Sequence, residues 1–385
     1  MNTAINRSAR VGIITDQTGA ISFMGIANTN VAKMLIDDIN ARGGLLGRPV
    51  ELFIEDSATD DSVAAAVASK LVEQAQVDVV VGGIFSSTRQ AIKGPVVDEA
   101  NRLYIYPEQY EGQECHPLIF CTGPVPAQQV EPLFPWLMEQ TGAKKFYMPS
   151  ADYIWPHTMN KKVREVVTER GGEIVGEEYF PLDHMEYEWV VADIMASGAD
   201  VVFNTIVPPG LTPFLEQLHR AGFTARGGHI VCTYFDENFL NLVPAEHVEG
   251  LYGCLDYYRD VKDPFSIELL NRYEALFPGS AMFTAGSACS GTYRALKLWE
   301  AIGGKIVVRP QPAHGVEQLR DYLYRLWECG GAPSQSSEGR RNNTDRGCDF
   351  GRRSGLLQLH YRVAQLVLLV VGNSPLWVAR SAVQH

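Results

Sequence analysis

The chain lacks every short signature that would announce catalysis or a bound cofactor. No GxGxxG opens a helix after a strand, no GxxxxGK[ST] occurs, and HExxH and CxxC are both absent. The nine histidines are scattered, with no two at metal-ligand spacing. Ser290, in Gly286-Ser287-Ala288-Cys289-Ser290-Gly291, lacks the glycine spacing of a nucleophile elbow. Paired acids such as Asp60-Asp61 and Asp236-Glu237 suit helix caps and solvated faces better than a glycosidase dyad. No catalytic residue, metal or cofactor is therefore expected.

Long apolar runs are missing too. The nearest, Val363–Val371, falls well short of the ~18–20 residues that a membrane span needs. The first ten residues, Met-Asn-Thr-Ala-Ile-Asn-Arg-Ser-Ala-Arg, hold no apolar segment of secretory-signal type and run directly into a strand. Two readings stay open: a cytoplasmic protein, or a chain whose true start lies upstream. Cysteines are few, seven in all, and only Cys115 and Cys121 are near neighbours. Reduced, mostly buried thiols are expected in preference to a 115–121 disulfide.

Positive charge is scarce as well. The net charge of −12 disfavours non-specific binding to nucleic acid or to an anionic membrane. The deficit is uneven. Residues 1–302 carry 22 Lys+Arg against 39 Asp+Glu, whereas residues 303–385 carry 11 against 6, and ten of those eleven cations are arginine.

What is present is apolar content in a regular rhythm. With 385 residues, 46% of them apolar, the chain can bury a large core, and two domains are expected. Val11–Thr15 reads as a strand, and Gly25–Arg42 carries Val31, Met34, Leu35 and Ile39 at helical spacing before Gly43-Gly44 ends it. Val50–Glu55 is the next strand. A helix over Ser57–Gln74 follows, with Ser57 or Thr59 as N-cap and Asp60 and Asp61 in its first turn. Strands at Val77–Gly83 and Leu103–Tyr106 flank a helix over Thr88–Asn101. After Leu118–Gly123 the rhythm restarts: strands at Lys145–Pro149, Glu173–Tyr179, Ala199–Thr205 and His229–Thr233 alternate with helices. The pattern predicts an α/β fold of two doubly wound parallel-sheet lobes with a ligand cleft between them. Residues 10–123 form the first part of lobe 1, 124–249 lobe 2, and 250–302 a return to lobe 1 through a helix at Phe283–Ile302.

From about Gly303 the pattern stops. Gly330–Arg353 is a Gly/Ser/Arg/Asn stretch without apolar period, and Leu356–Val371 is an apolar burst with no matching neighbour. With the swing from lysine to arginine, residues 303–385 read as a frame-shifted tail from a GC-rich gene, expected to be foreign to the fold and to pack poorly.

Polar and aromatic clusters recur at the carboxyl ends of the strands, where open α/β sheets bind ligands. They are Thr15–Gly19, Asp56-Ser57, Ser86-Ser87-Thr88 and Tyr106–Gly112 in the first lobe, then Ser150–Pro156, Asn204–Pro209 and Thr233–Glu237 in the second. Any one is explained by turn and capping chemistry. Seven in phase are not. Tyr106, Tyr110, Tyr153, Trp155 and Tyr234 would supply apolar walls with hydrogen-bonding rims, suited to a small amide, urea or amino-acid-like solute.

Several of these segments carry a family resemblance. They are Asp37–Val50, Gly82–Val97, Tyr106–Gly112 (YPEQYEG), Cys121-Thr122-Gly123, Ala151–Pro156 (ADYIWP) and Val201–Thr205. Over residues 10–302 the chain resembles the periplasmic-binding-protein superfamily, in its urea and short-chain-amide branch of ABC-transporter receptors. That branch also includes the cytoplasmic amide sensor of the aliphatic amidase operon. The resemblance implies a type I periplasmic-binding-protein fold. It places ligand contacts on Ser86, Tyr106, Glu108, Tyr153, Trp155, Thr205 and Tyr234, with Ser87 beside them at the helix start.

Ile84, Glu108 and Trp155 depart from the branch. Glu108 stands where the amide sensor has threonine and urea receptors often have valine, and Arg89 is the nearest candidate partner for its charge. The expected function is a non-catalytic solute receptor, periplasmic by family, with a small-molecule ligand and an ABC permease as partners. The alternative is a cytoplasmic amide sensor acting on a transcription antiterminator.

Overall fold

The computed structural model describes residues 7–284, 289–306 and 377–380. In chain order the first lobe runs β1 (Ala9–Thr15), α1 (Ser22–Ala41), β2 (Val50–Asp56), α2 (Asp61–Glu73), β3 (Val79–Gly82), α3 (Ser86–Lys93), β4 (Leu103–Tyr106) and β5 (Ile119–Cys121). The strands form a parallel sheet in the order β2-β1-β3-β4-β5. Its strands are apolar at successive positions because both faces are covered. Val79 and Val81 join Val11, Ile13 and Ile105 beneath α1, while Val80, Tyr104 and Tyr106 face the opposite layer with Leu71 and Ile92. The register aligns these sets, Val11 lying opposite Val79, and Val81 opposite Ile105.

The second lobe repeats the plan with α4 (Pro126–Thr141), β6 (Lys145–Ala151), α5 (Ile154–Glu169), β7 (Glu173–Phe180), α6 (Glu188–Ser197), β8 (Val201–Phe203), α7 (Leu211–Arg220), β9 (His229–Val231), α8 (Ala245–Val248) and β10 (Tyr252–Leu255). Its parallel strands run β10-β9-β8-β6-β7, the same winding as the first sheet. Because Tyr252 pairs with Val231, this sheet reaches Leu255, past the boundary expected at 249. α9 (Pro264–Leu276) and α10 (Gly291–Ile306) then pack against α1. Arg294 on α10 clasps the two connections between lobes: its Nε donates to the Thr122 carbonyl at 3.1 Å, and its guanidinium pairs with Asp256.

Some expectations shift for local reasons. α2 starts after Thr59, since Ala58 and Thr59 take left-handed φ of 52° and 57°, and Asp60 is the cap, accepting from Ser62 and Val63 amides. The helix expected over Thr88–Asn101 begins at Ser86 and widens into a π-helical turn at Gly94–Glu99, where Pro95 has no N–H to give. Cys121, Cys232, Cys254 and Cys289 are free thiols, the last three buried, so the 115–121 bridge does not form. Of the expected tail, residues 307–376 and 381–385 lie outside the described residues. The segment β11 (Trp377–Arg380) pairs antiparallel with β10 at the edge of the second sheet. Among the described residues no helix is long and apolar enough to cross a membrane.

Candidate functional site

Each sheet reverses its winding once, between β1 and β3 in the first lobe and between β6 and β8 in the second. At such a switch point the loops leave in opposite directions and open a crevice. The two crevices face one another across a cleft of about 460 Å³ counting its mouth. Lobe 1 contributes Ile21, Met24, Ile84, Phe85, Ser86, Glu108 and Gln109 to its lining, and lobe 2 contributes Tyr153, Trp155, Val207, Pro208, Tyr234 and Phe239.

The walls are aromatic and continuous. Phe85 meets Tyr153 edge-on at 5.6 Å across the lobes, Tyr153 stacks on Trp155 at 6.4 Å, and Trp155 meets Tyr234 edge-on at 6.2 Å. Tyr234 in turn touches Phe239 at 5.4 Å. These separations lie within the range at which ring pairs attract. Tyr234 is oriented from behind: its hydroxyl donates to the Ile206 carbonyl and Asn204 Nδ2 approaches it at 3.3 Å. The Trp155 indole N–H is buried with no partner among the described residues.

On the lobe 1 side two polar groups stand out. Ser86 opens α3, is buried, and belongs to a helix start that no side chain caps. Its first-turn amides are donors in need of acceptors. Glu108 is 1% exposed, and neither carboxylate oxygen has a hydrogen-bond partner among the described residues. Burial pushes its carboxyl well above the ordinary 4.5; Asp256, Asp16 and Asp236 push the same way and Arg294 opposes them. The loop carrying Glu108 is held by close approach, since a Cβ on Gly123 would sit 2.0 Å from the Glu108 carbonyl oxygen. Asp16 and Asp236 are buried as well. Asp16 accepts from the Thr59 amide at 2.7 Å, leaving Oδ2 unpartnered, and Asp236 accepts from Thr284 at 2.6 Å while burial raises its pKa to about 7.

Of the residues expected from sequence, the cleft brings together Ser86, Glu108, Tyr153, Trp155 and Tyr234. Three others lie elsewhere. Tyr106 shares its strand face with Tyr104, so it points into the layer under α2, and its hydroxyl props the Ile84 carbonyl at 2.6 Å. Ser87 turns toward α2, donating to Asp61 at 3.2 Å. Thr205 is fully buried in a bridge to Ser150, beside the lining.

Arg89 also departs from expectation. It binds Glu111 at 2.7 Å instead of Glu108, with its guanidinium over the Tyr106 ring at 4.9 Å and Tyr110 at 5.9 Å. Tyr106, Tyr110 and Glu111 of the YPEQYEG segment therefore build a cage for Arg89, while Glu108 and Gln109 reach the cleft. Phe85 and Phe239 were missed. Phe85 adjoins a recognised cluster, but Phe239 sits in a one-turn 3₁₀ helix with no periodic signal around it.

The sequence profile of the family described as periplasmic binding protein matches residues 8–344. An amino acid binding protein of Pseudomonas aeruginosa is 27% identical over 219 residues, 56% of this chain and 58% of that protein. A Leu/Ile/Val-binding protein of Escherichia coli K12 is 21% identical over 224 residues, 57% of this chain and 60% of the relative. The alignments thus span less than two thirds of these relatives. Among solved structures, a leucine-binding protein of Thermotoga maritima superposes with a TM-score of 0.71 at 18% identity, covering 81% of this chain and 87% of that one. An ABC-transporter solute-binding protein of Rhodopseudomonas palustris in complex with 3,4-dihydroxybenzoic acid gives 0.70 at 22% identity, covering 81% and 84%. The fold, the paired switch points and the matched span agree: the chain belongs to the periplasmic binding protein family, whose members bind solutes and are not enzymes.

Proposed function

We propose that the chain is the receptor of an ABC-type importer and captures a small polar solute bearing N–H groups, such as urea, a short-chain amide or an amino-acid-like compound. The observation that carries this reading is the cleft itself. Aromatic walls from one lobe face Ser86, an uncapped helix start and an unpartnered Glu108 from the other. Lobe closure brings both halves onto one ligand, excludes water and so strengthens each hydrogen bond. The Ser86 hydroxyl and α3 amides would hold a carbonyl or carboxylate oxygen, Glu108 would take the N–H groups, and the rings would cover the apolar faces. The relatives that bind amino acids and the structural neighbours holding aromatic acids are consistent with a ligand of this size. The ligand-loaded form would be read by a permease partner, in the periplasm as for the family.

The test is a thermal-shift panel of ureas, amides, amino acids and aromatic acids on the full chain. A ligand that binds only the folded state raises its stability by about 2.7 kcal/mol at a hundredfold excess over Kd. Stabilisation by one chemical series supports the reading, and no shift from any member at millimolar concentration overturns it.

A further inference from the structure

We propose that the ligand carries a cationic nitrogen group, an ammonium, amidinium or guanidinium, seated on Glu108 and walled by Tyr153, Trp155 and Tyr234. The inference rests on the receptor reading above and narrows its ligand class. A buried carboxylate without a hydrogen bond is costly, and such groups are retained where something pairs with them. Among the described residues no group hydrogen-bonds the Glu108 carboxylate, and no lysine, arginine or histidine lines the cleft. Arg89 is committed to Glu111, and Arg294 to Asp256 and the Thr122 carbonyl.

The surrounding charge has the same sign as Glu108. Asp16 follows β1, Asp236 follows β9 and Asp256 follows β10, each disfavouring ionisation of Glu108, and Arg294 on α10 is the opposing charge. Asp16 Oδ2 is itself buried without a partner. A cation entering this cleft meets a carboxylate acceptor on one side and ring faces on the other, both favourable to positive charge. A ligand carboxylate would meet repulsion from ionised Glu108, where a cation would meet attraction.

In the empty cleft burial and three neighbouring acids favour the protonated form of Glu108, against the opposing charge of Arg294. A cationic ligand replaces that proton. Binding to the protonated form releases a proton, and affinity therefore climbs as pH rises until the empty-state carboxyl is ionised.

The experiment uses isothermal calorimetry on the full chain with pairs matched in size: guanidinium against urea, acetamidinium against acetamide, and butylammonium against butanamide. The cation binds at least tenfold tighter in one or more pairs, and its heat varies with the ionisation enthalpy of the buffer, reporting proton release. Glu108→Gln keeps the shape, loses the charge, and reduces the preference at least tenfold while abolishing the release. Should that variant not fold, the pH dependence of the wild-type affinity decides instead: a rise with pH supports the inference and a flat profile overturns it. Neutral members binding as tightly as their cations, or Glu108→Gln keeping the cation preference, overturns the inference while leaving the receptor reading intact. No binding by any pair, with no shift across the wider thermal panel, removes both.

Discussion

Replacing Arg89 by methionine tests the idea that the YPEQYEG segment is chiefly a structural clamp behind the cleft. The Arg89 side chain is 3% exposed and its partner Glu111 4%, at 2.7 Å. Glu114, 3.8 Å from Arg89, keeps Lys93 at 3.1 Å as its own partner, so the loss falls on Glu111. Removing one member of a buried pair costs about 3–5 kcal/mol, because the remaining charge is buried alone. Lost cation–π contact with Tyr106 and Tyr110 adds to this, on the order of 1 kcal/mol. In a protein of 385 residues each kcal/mol lowers Tm by about 1–2 °C, so the loss of about 4–6 kcal/mol should make Arg89→Met melt roughly 4–12 °C below wild type in circular dichroism. The double variant Arg89→Met/Glu111→Leu should recover most of the loss, since apolar replacement of a whole buried pair is often neutral. Arg89→Met melting within about 3 °C of wild type would refute the reasoning, as would a double variant no better than the single.

Ser86→Ala should weaken solute binding by about 1–2 kcal/mol while leaving Tm unchanged, measured by calorimetry and melting on the same preparation. Glu108→Gln should match the empty wild type in stability near pH 4 and exceed it near pH 8. The folded carboxyl titrates above its ordinary 4.5, so the folded state holds a proton the unfolded state has released, and wild-type stability falls as pH rises above that value. Parallel urea titrations across pH check it, and equal curves at both ends would remove Glu108 from the buried set. Gly123→Ala should destabilise the protein by about 1–3 kcal/mol and also reduce solute affinity, because the new Cβ displaces the Glu108 loop; intact affinity would show that the loop is not held there.

The alternation of strands and helices was legible because each element carries its own period. Val79–Gly82 is apolar throughout, and α1 repeats its apolar residues every three to four positions. The same patterns marked the polar and aromatic clusters at the strand ends, and the family resemblance singled out Ser86, Glu108, Tyr153, Trp155 and Tyr234 within them. Departures arose where neighbours in sequence part company in space. Tyr106 and Glu108 lie two residues apart, yet the strand phase sends Tyr106 into the core beneath α2 while the loop after Pro107 turns Glu108 to the cleft. Ser86 and Ser87 diverge likewise, because consecutive helical residues point about 100° apart.

Local pattern therefore determined the strand order of events along the chain, the two-lobed α/β class and most of the cleft's polar residues. Tertiary packing alone decided the partners. That Arg89 goes to Glu111, that Arg294 goes to Asp256, and that Glu108 is left with neither depends on contacts among segments as much as 170 residues apart. Phe85 meets Tyr153 only because two separately folded sheets bring their switch points together. Periodicity records which side of an element is buried; which charge meets which, and which meets none, is settled only when the lobes pack and each buried group takes the partner within its reach.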